Sequence, residues 1–183
     1  MVLTMLKNTA EKYGLVSKLI HWLSAFAIIG LYILGKWMED LDYYSEWYRV
    51  APDWHKSIGI ILIAVTLFRI IWKLSMGSPA PIASHSNTIK RLTKIGHNLI
   101  YLCLIIAMCS GYLISTADGR AIEVFSWFSI PSMGELFNNQ EDIAGDIHEQ
   151  ATNAVILLAI FHVLAALKHH FINKDNTLFR MIK

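Results

Sequence analysis

The sequence predicts an all-α protein, a four-helix transmembrane bundle with both termini on the cytoplasmic side. Three observations predict it. Of the 183 residues, 55% are hydrophobic and mean hydropathy is +0.43, an apolar excess that points to membrane spans. The apolar residues gather in four stretches, at about 18–37, 54–74, 92–115 and 147–172, each matching the roughly 20 residues that cross a hydrocarbon layer of ~30 Å. The connections between them alternate in charge, which the small net charge of +2 conceals.

The leading segment 1–18 is polar, with Lys7, Lys12 and Lys18 against Glu11. It has no apolar core or small-residue cleavage site, so no cleavable leader is expected. Span one is bracketed by Trp22 and Trp37, span two by Trp54 and Trp72, as in an interfacial aromatic belt. The connection between them is acidic, with Glu39, Asp40, Asp42, Glu46 and Asp53. After span two the sign reverses: Lys73, Lys90, Arg91 and Lys94 occur with no acid, and Gly77-Ser-Pro-Ala-Pro81 marks a bend. Span three carries Cys103 and Cys109, which face different directions ~9 Å apart along a helix axis, so a disulfide between them is excluded.

The last connection is acidic again, with Asp118, Glu123, Glu135, Glu141, Asp142 and Asp146. Its segment 122–131 is too short to span and is expected to lie at the outer interface, over the outer site described below. The tail after span four is basic, with Lys168, Lys174, Arg180 and Lys183 against Asp175. All five segments obey the positive-inside rule for cytoplasmic termini. Internal repeats are absent, so 1–183 reads as one domain. Lipid is the expected surroundings, and no nucleic-acid partner is expected.

An ionisable residue within a span is a functional candidate, because its burial is costly. His148 and His162 stand fourteen residues apart on span four. At the ~3.5-residue repeat of a left-handed bundle they share a face, and at ~1.5 Å per residue they lie roughly 21 Å apart, one near each leaflet. His21 lies at the depth of His162, and His55 at the depth of His148. Each pair can sandwich a metal, and with haem iron at each level an electron could cross the bilayer in two steps. No CxxCH motif occurs, so covalent c-type attachment is excluded.

Fourteen residues beyond His55 lies Arg69, on the same face at the inner depth, where a haem propionate would supply an anion. Fourteen beyond His21 and His97 lie Gly35 and Gly111, and four beyond His55 lies Gly59; these are read as space for a flat macrocycle. His97 has no partner once two pairs form and is the first candidate to hydrogen-bond a quinone and carry its protons. His169 is the second, with His170 beside it at the membrane exit. Among outer cations, Arg120 and then Lys36 are the candidates to attract a small anion to the outer site. His85, in the linker, receives no role.

The stretches Tyr13-Gly14, His21-Trp22-Leu23, His55-Lys56-Ser57-Ile58-Gly59, Gly111-Tyr112-Leu113-Ile114-Ser115 and His169-His170-Phe171-Ile172-Asn173-Lys174-Asp175-Asn176-Thr177-Leu178 resemble the bacterial cytochrome b561 family over nearly the whole chain. The resemblance implies a four-helix inner-membrane cytochrome with two haem b groups, ligated by His21 with His162 and His55 with His148. It implies electron exchange with ubiquinone, and superoxide as a periplasmic donor in a characterised member. The alternative is a membrane anchor relaying electrons for a separate periplasmic redox protein, docked on 116–146. A non-haem channel or transporter is a further rival.

Overall fold

The structure is a computed structural model that describes residues 5–183. The first four residues of the tail, on which the absence of a leader was partly read, lie outside the described residues. Four long helices dominate: α1 (Leu15–Glu39), α2 (Trp47–Met76), α3 (Asn87–Thr116) and α4 (Gln140–Phe171). All four are long and apolar enough to cross a membrane. A short hairpin, β1 (Ile122–Val124) with β2 (Phe128–Ile130), precedes α4, and a single turn, α5 (Phe179–Ile182), closes the chain.

The helices outrun the apolar stretches because the hydrogen-bond ladder continues past the hydrocarbon. Helix α4 starts seven residues before 147 and places Glu141 and Asp142 in its first turn, where the helix dipole favours anions. The Gln140 side chain is almost fully buried. It donates to the carbonyl of Leu113 at 2.9 Å and accepts from the Leu136 amide at 2.7 Å, tying α4 to the end of α3. At the start of α3 the Ser86 hydroxyl accepts from the Ile89 amide, an N-cap that satisfies one free donor.

Helices pack as two hairpins, α1 against α2 and α3 against α4, with little backbone approach between the pairs. The Tyr32 hydroxyl of α1 donates to Asn153 of α4 at 2.9 Å, a polar tie across that gap. Much of the exterior is large and apolar, including Leu23, Phe26, Ile33, Leu67 and Phe161, as expected of a surface that faces lipid. The inward small residues Ser24, Ser57, Thr66 and Ser110 are buried, the residue types that let membrane helices approach closely.

One end gathers the N-terminal tail, the 77–86 connection and the C-terminal tail. Ala80 donates to Ala10, the Asn8 amide to the carbonyl of Gly77, Arg180 to Ala80, and the Trp22 indole to Met181. We call this the terminal end. At the opposite, distal end, 122–131 forms the hairpin. Ile122 and Val124 are buried. The Ser57 hydroxyl of α2 donates to the carbonyl of Glu123 and accepts from the amide of Phe125. Phe125 and Ser126 turn the chain at φ 47° and 59°, a left-handed conformation unusual for such residues.

Candidate functional site: two histidine levels in the bundle

The fourteen-residue faces point inward. Their midpoints, Leu62 between His55 and Arg69, Leu104 between His97 and Gly111, and Val155 between His148 and His162, are 6%, 8% and 3% exposed. An apolar layer therefore separates two histidine levels, spaced roughly 21 Å apart at ~1.5 Å per residue.

At the distal level the rings of His55 and His148 have centroids 6.2 Å apart. At the terminal level His21 and His162 are 6.3 Å apart. Two imidazoles trans across one metal, with metal–nitrogen bonds of about 2.0 Å and a nitrogen about 1.1 Å from each ring centre, would put their centroids roughly 6.2 Å apart. Both pairs meet that spacing. His97 lies 5.3 Å from His162, close enough to adjoin the same level.

The surroundings also suit a flat group that two histidine nitrogens would hold. The His148 Nδ1–H donates to the carbonyl of Ala107 at 2.8 Å, which fixes the tautomer and leaves Nε2 free as a ligand. The Ser24 hydroxyl, one turn beyond His21, and Nδ1 of His55 are buried without a protein partner among the described residues. An orphaned buried polar group costs about 1–3 kcal/mol, so each level holds polar atoms the protein alone does not satisfy. Beside His148, an apolar groove lined by Ile105, Cys109, Ser110, Leu113, Ala144 and Ile147 opens between α3 and α4.

Two of the glycines make room for histidine rings. A Cβ on Gly111 would meet His148 Cε1 at 3.0 Å, and one on Gly35 would meet His55 Cε1 at 3.3 Å. Part of the room read from sequence as space for a macrocycle is filled by the imidazoles themselves. Of the three glycines read that way, Gly59 faces open space.

Arg69 stands at the terminal level, as the sequence expected: its Nη2 lies 3.1 Å from His21 Nδ1, and its guanidinium lies over the Tyr101 ring. A histidine that ligates through Nε2 carries its proton on Nδ1, so Arg69 must then turn to another acceptor in that site. A unit charge ~10 Å from a redox centre at an effective ε of ~20 is worth roughly 1.7 kcal/mol, or about 70 mV. The cation favours the less positive, reduced state. Arg69→Leu is therefore expected to lower the potential of the terminal-level centre by tens of millivolts. A redox titration that finds both components unmoved would place Arg69 outside its field.

Both candidate distal cations are paired. Arg120 is exposed and bound through Nε to Asp118 at 2.6 Å; this hydrogen bond holds the Asp118 carboxyl below its usual range. Lys36 reaches Glu149 at 2.8 Å and Glu39 at 3.1 Å. Because Gly35 abuts His55 and Glu149 follows His148, the Lys36–Glu149 bridge spans the rim of the distal level. Asp118, the partner of Arg120, also feels the charge of Lys56, which follows His55.

At the terminal end, His169 is not alone. Its Nδ1 lies 2.6 Å from Asp175 Oδ2, and His85 Nε2 lies 2.9 Å from the same oxygen. Burial alone would raise the Asp175 carboxyl, but hydrogen bonds from Thr177, His85 and His169 hold it well below the usual carboxylate range. His170 packs against Phe171 and Phe179. His85 was the functional candidate that sequence reasoning missed. It sits in a polar linker, and only the meeting of two distant segments reveals it.

Comparison with known proteins shows the family. The family model described as prokaryotic cytochrome b561 matches residues 12–183. The chain is 45% identical to "Cytochrome b561 homolog 2" of Escherichia coli K12, over 96% of this chain and 93% of the relative. It is 28% identical to "Probable superoxide oxidase CybB" of Yersinia pestis, over 94% and 96%, and 25% identical to "Cytochrome b562" of Cereibacter sphaeroides, over 90% of each.

Proposed function

The chain belongs to the prokaryotic cytochrome b561 family, whose members are membrane electron-transfer cytochromes, and on that premise we propose that it holds two haem b groups and carries electrons across the inner membrane to ubiquinone. The observation that carries this reading is the pair of ring spacings, 6.3 Å for His21 with His162 and 6.2 Å for His55 with His148. Bound haem iron would supply one-electron chemistry, cycling between ferric and ferrous states. The protein supplies the rest. Four histidines fix two centres at opposite depths, Arg69 biases the terminal-level potential, and the layer of Leu62, Leu104 and Val155 keeps water from the path between. The positive-inside rule makes the terminal end cytoplasmic and the distal end periplasmic. One domain, 1–183, contains both centres.

We infer superoxide as the donor. The relative whose name specifies it is 28% identical, and a one-electron donor suits a one-electron acceptor. Two superoxide anions would yield two O₂ while ubiquinone gains two electrons and two cytoplasmic protons. The donor must approach past the acid-rich outer connections, so attraction is short-range. Lys36 at the rim and Arg120 beyond it are the cations to test. Lys36→Glu is expected to slow haem reduction by a superoxide pulse, Arg120→Glu less so, with reduction by a neutral chemical donor unchanged in both. Unchanged superoxide rates in both variants would remove superoxide steering and favour delivery by a periplasmic protein docked on 116–146.

At the terminal end, His97 adjoins His162 without fitting as its trans ligand. We assign it the quinone-side hydrogen bond and proton, with His169, farther out, as the second candidate. His97→Ala is expected to slow reoxidation by ubiquinone about ten- to a hundredfold while both haems stay bound. Unaltered reoxidation kinetics in His97→Ala and His169→Ala would place the quinone at the distal end.

A further inference from the structure

We propose that His85, His169 and Asp175 form a binding site for a divalent transition-metal ion of the zinc class, which ties the 77–86 connection to the C-terminal tail. The three side chains are 13%, 13% and 12% exposed, and their candidate ligand atoms lie within 4.8 Å of one another. His85 Nε2 and His169 Nδ1 converge on one oxygen, Asp175 Oδ2, at 2.9 and 2.6 Å. Their rings lie side by side, centroids 4.5 Å apart. Neither His85 nor Asp175 has a role in the electron path.

The carboxylate is aimed. Its other oxygen, Oδ1, accepts from both the amide and the hydroxyl of Thr177, so Oδ2 is turned toward the imidazoles. Outer-shell hydrogen bonds of this kind orient metal ligands. The loop that delivers Asp175 is fixed as well. Lys174 takes φ 52°, the Asp175 amide donates to the carbonyl of His169, and the Asn173 amide donates to that of Lys168. The His85 amide donates to the carbonyl of Ile82, which holds the third ligand in a turn.

Two imidazoles and one carboxylate suit zinc and its neighbours and leave a coordination position open. With metal–ligand bonds of about 2.0–2.1 Å, tetrahedral ligand atoms stand roughly 3.3 Å apart. The cluster must therefore open by about half an ångström, within reach of a linker and a tail. Water, or the Asn173 side chain beside His169 Nδ1 at 3.1 Å, would fill the remaining position. Occupancy would withdraw His169 from quinone and leave that task to His97.

The test uses the full-length, haem-loaded protein in detergent, stripped with chelator and dialysed against micromolar zinc chloride. Zinc is counted against iron. One zinc per chain is expected, with affinity about ten- to a hundredfold weaker in His85→Ala and Asp175→Asn and unchanged in His170→Ala, while haem content stays constant throughout. Zinc should also raise the melting temperature of the unmodified protein and not that of His85→Ala. No stoichiometric zinc on the unmodified protein, or equal retention by the variants, overturns the site and leaves a hydrogen-bonded brace only. The readout is independent of electron transfer and of quinone binding.

Discussion

His148→Ala and His55→Ala are each expected to remove the distal haem and leave the terminal-level haem in place, while His21→Ala and His162→Ala do the reverse. In every case about half the haem absorbance should survive, since each variant would remove one holding histidine from one of the two proposed centres. The spectral component that survives should be shared by His55→Ala and His148→Ala and differ from that shared by the other two. The expectation rests on ring spacings of 6.2 and 6.3 Å at two levels separated by the buried Leu62, Leu104 and Val155. Loss of the same component from His21→Ala and His148→Ala would break the pairing. His97→Ala is the internal control, because its ring lies 5.3 Å from His162, and it should retain both components.

A comparable loss is expected without touching a histidine. In Gly111→Val the new Cβ would meet His148 at 3.0 Å at Cε1 and 3.2 Å at Nδ1. The ring cannot retreat freely, because its Nδ1–H is held by the Ala107 carbonyl at 2.8 Å. That hydrogen bond contributes about 1 kcal/mol. The imidazole should therefore lose its ligating direction, and the distal haem with it. Gly35→Ala, whose Cβ approaches His55 no closer than 3.3 Å, should be milder. Gly30→Ala, with nothing within 4 Å, should leave the spectrum unchanged. A Gly111→Val protein with both haems at full occupancy would show that the distal ring has freedom this packing does not give it.

The spans were legible in the sequence because lipid imposes length and hydropathy so strictly. The inward histidine faces were legible because a fourteen-residue spacing returns a helix to the same side, as the burial of Leu62, Leu104 and Val155 shows. Arg69 was readable for the same reason. Other features depend on tertiary contact that no period encodes. The hairpin at 122–130 turns through Phe125 and Ser126 and carries none of the Asn-Gly or Asp-Gly signals of a tight turn. Its stability comes from burying Ile122 and Val124 and from bonds to Ser57. The pairing of Lys36 with Glu149 joins residues 113 apart in the chain, so its place at the rim of the distal level could not be read along one helix. His85 meets His169 and Asp175 only because the linker folds back over the terminal end.

The most direct measurement is a potentiometric titration of the purified chain, with haem absorbance scaled to polypeptide. Two non-covalent haem b groups per chain, titrating as two one-electron components of equal amplitude, is the expected result. A single component at one haem per chain would contradict ligation at both histidine levels.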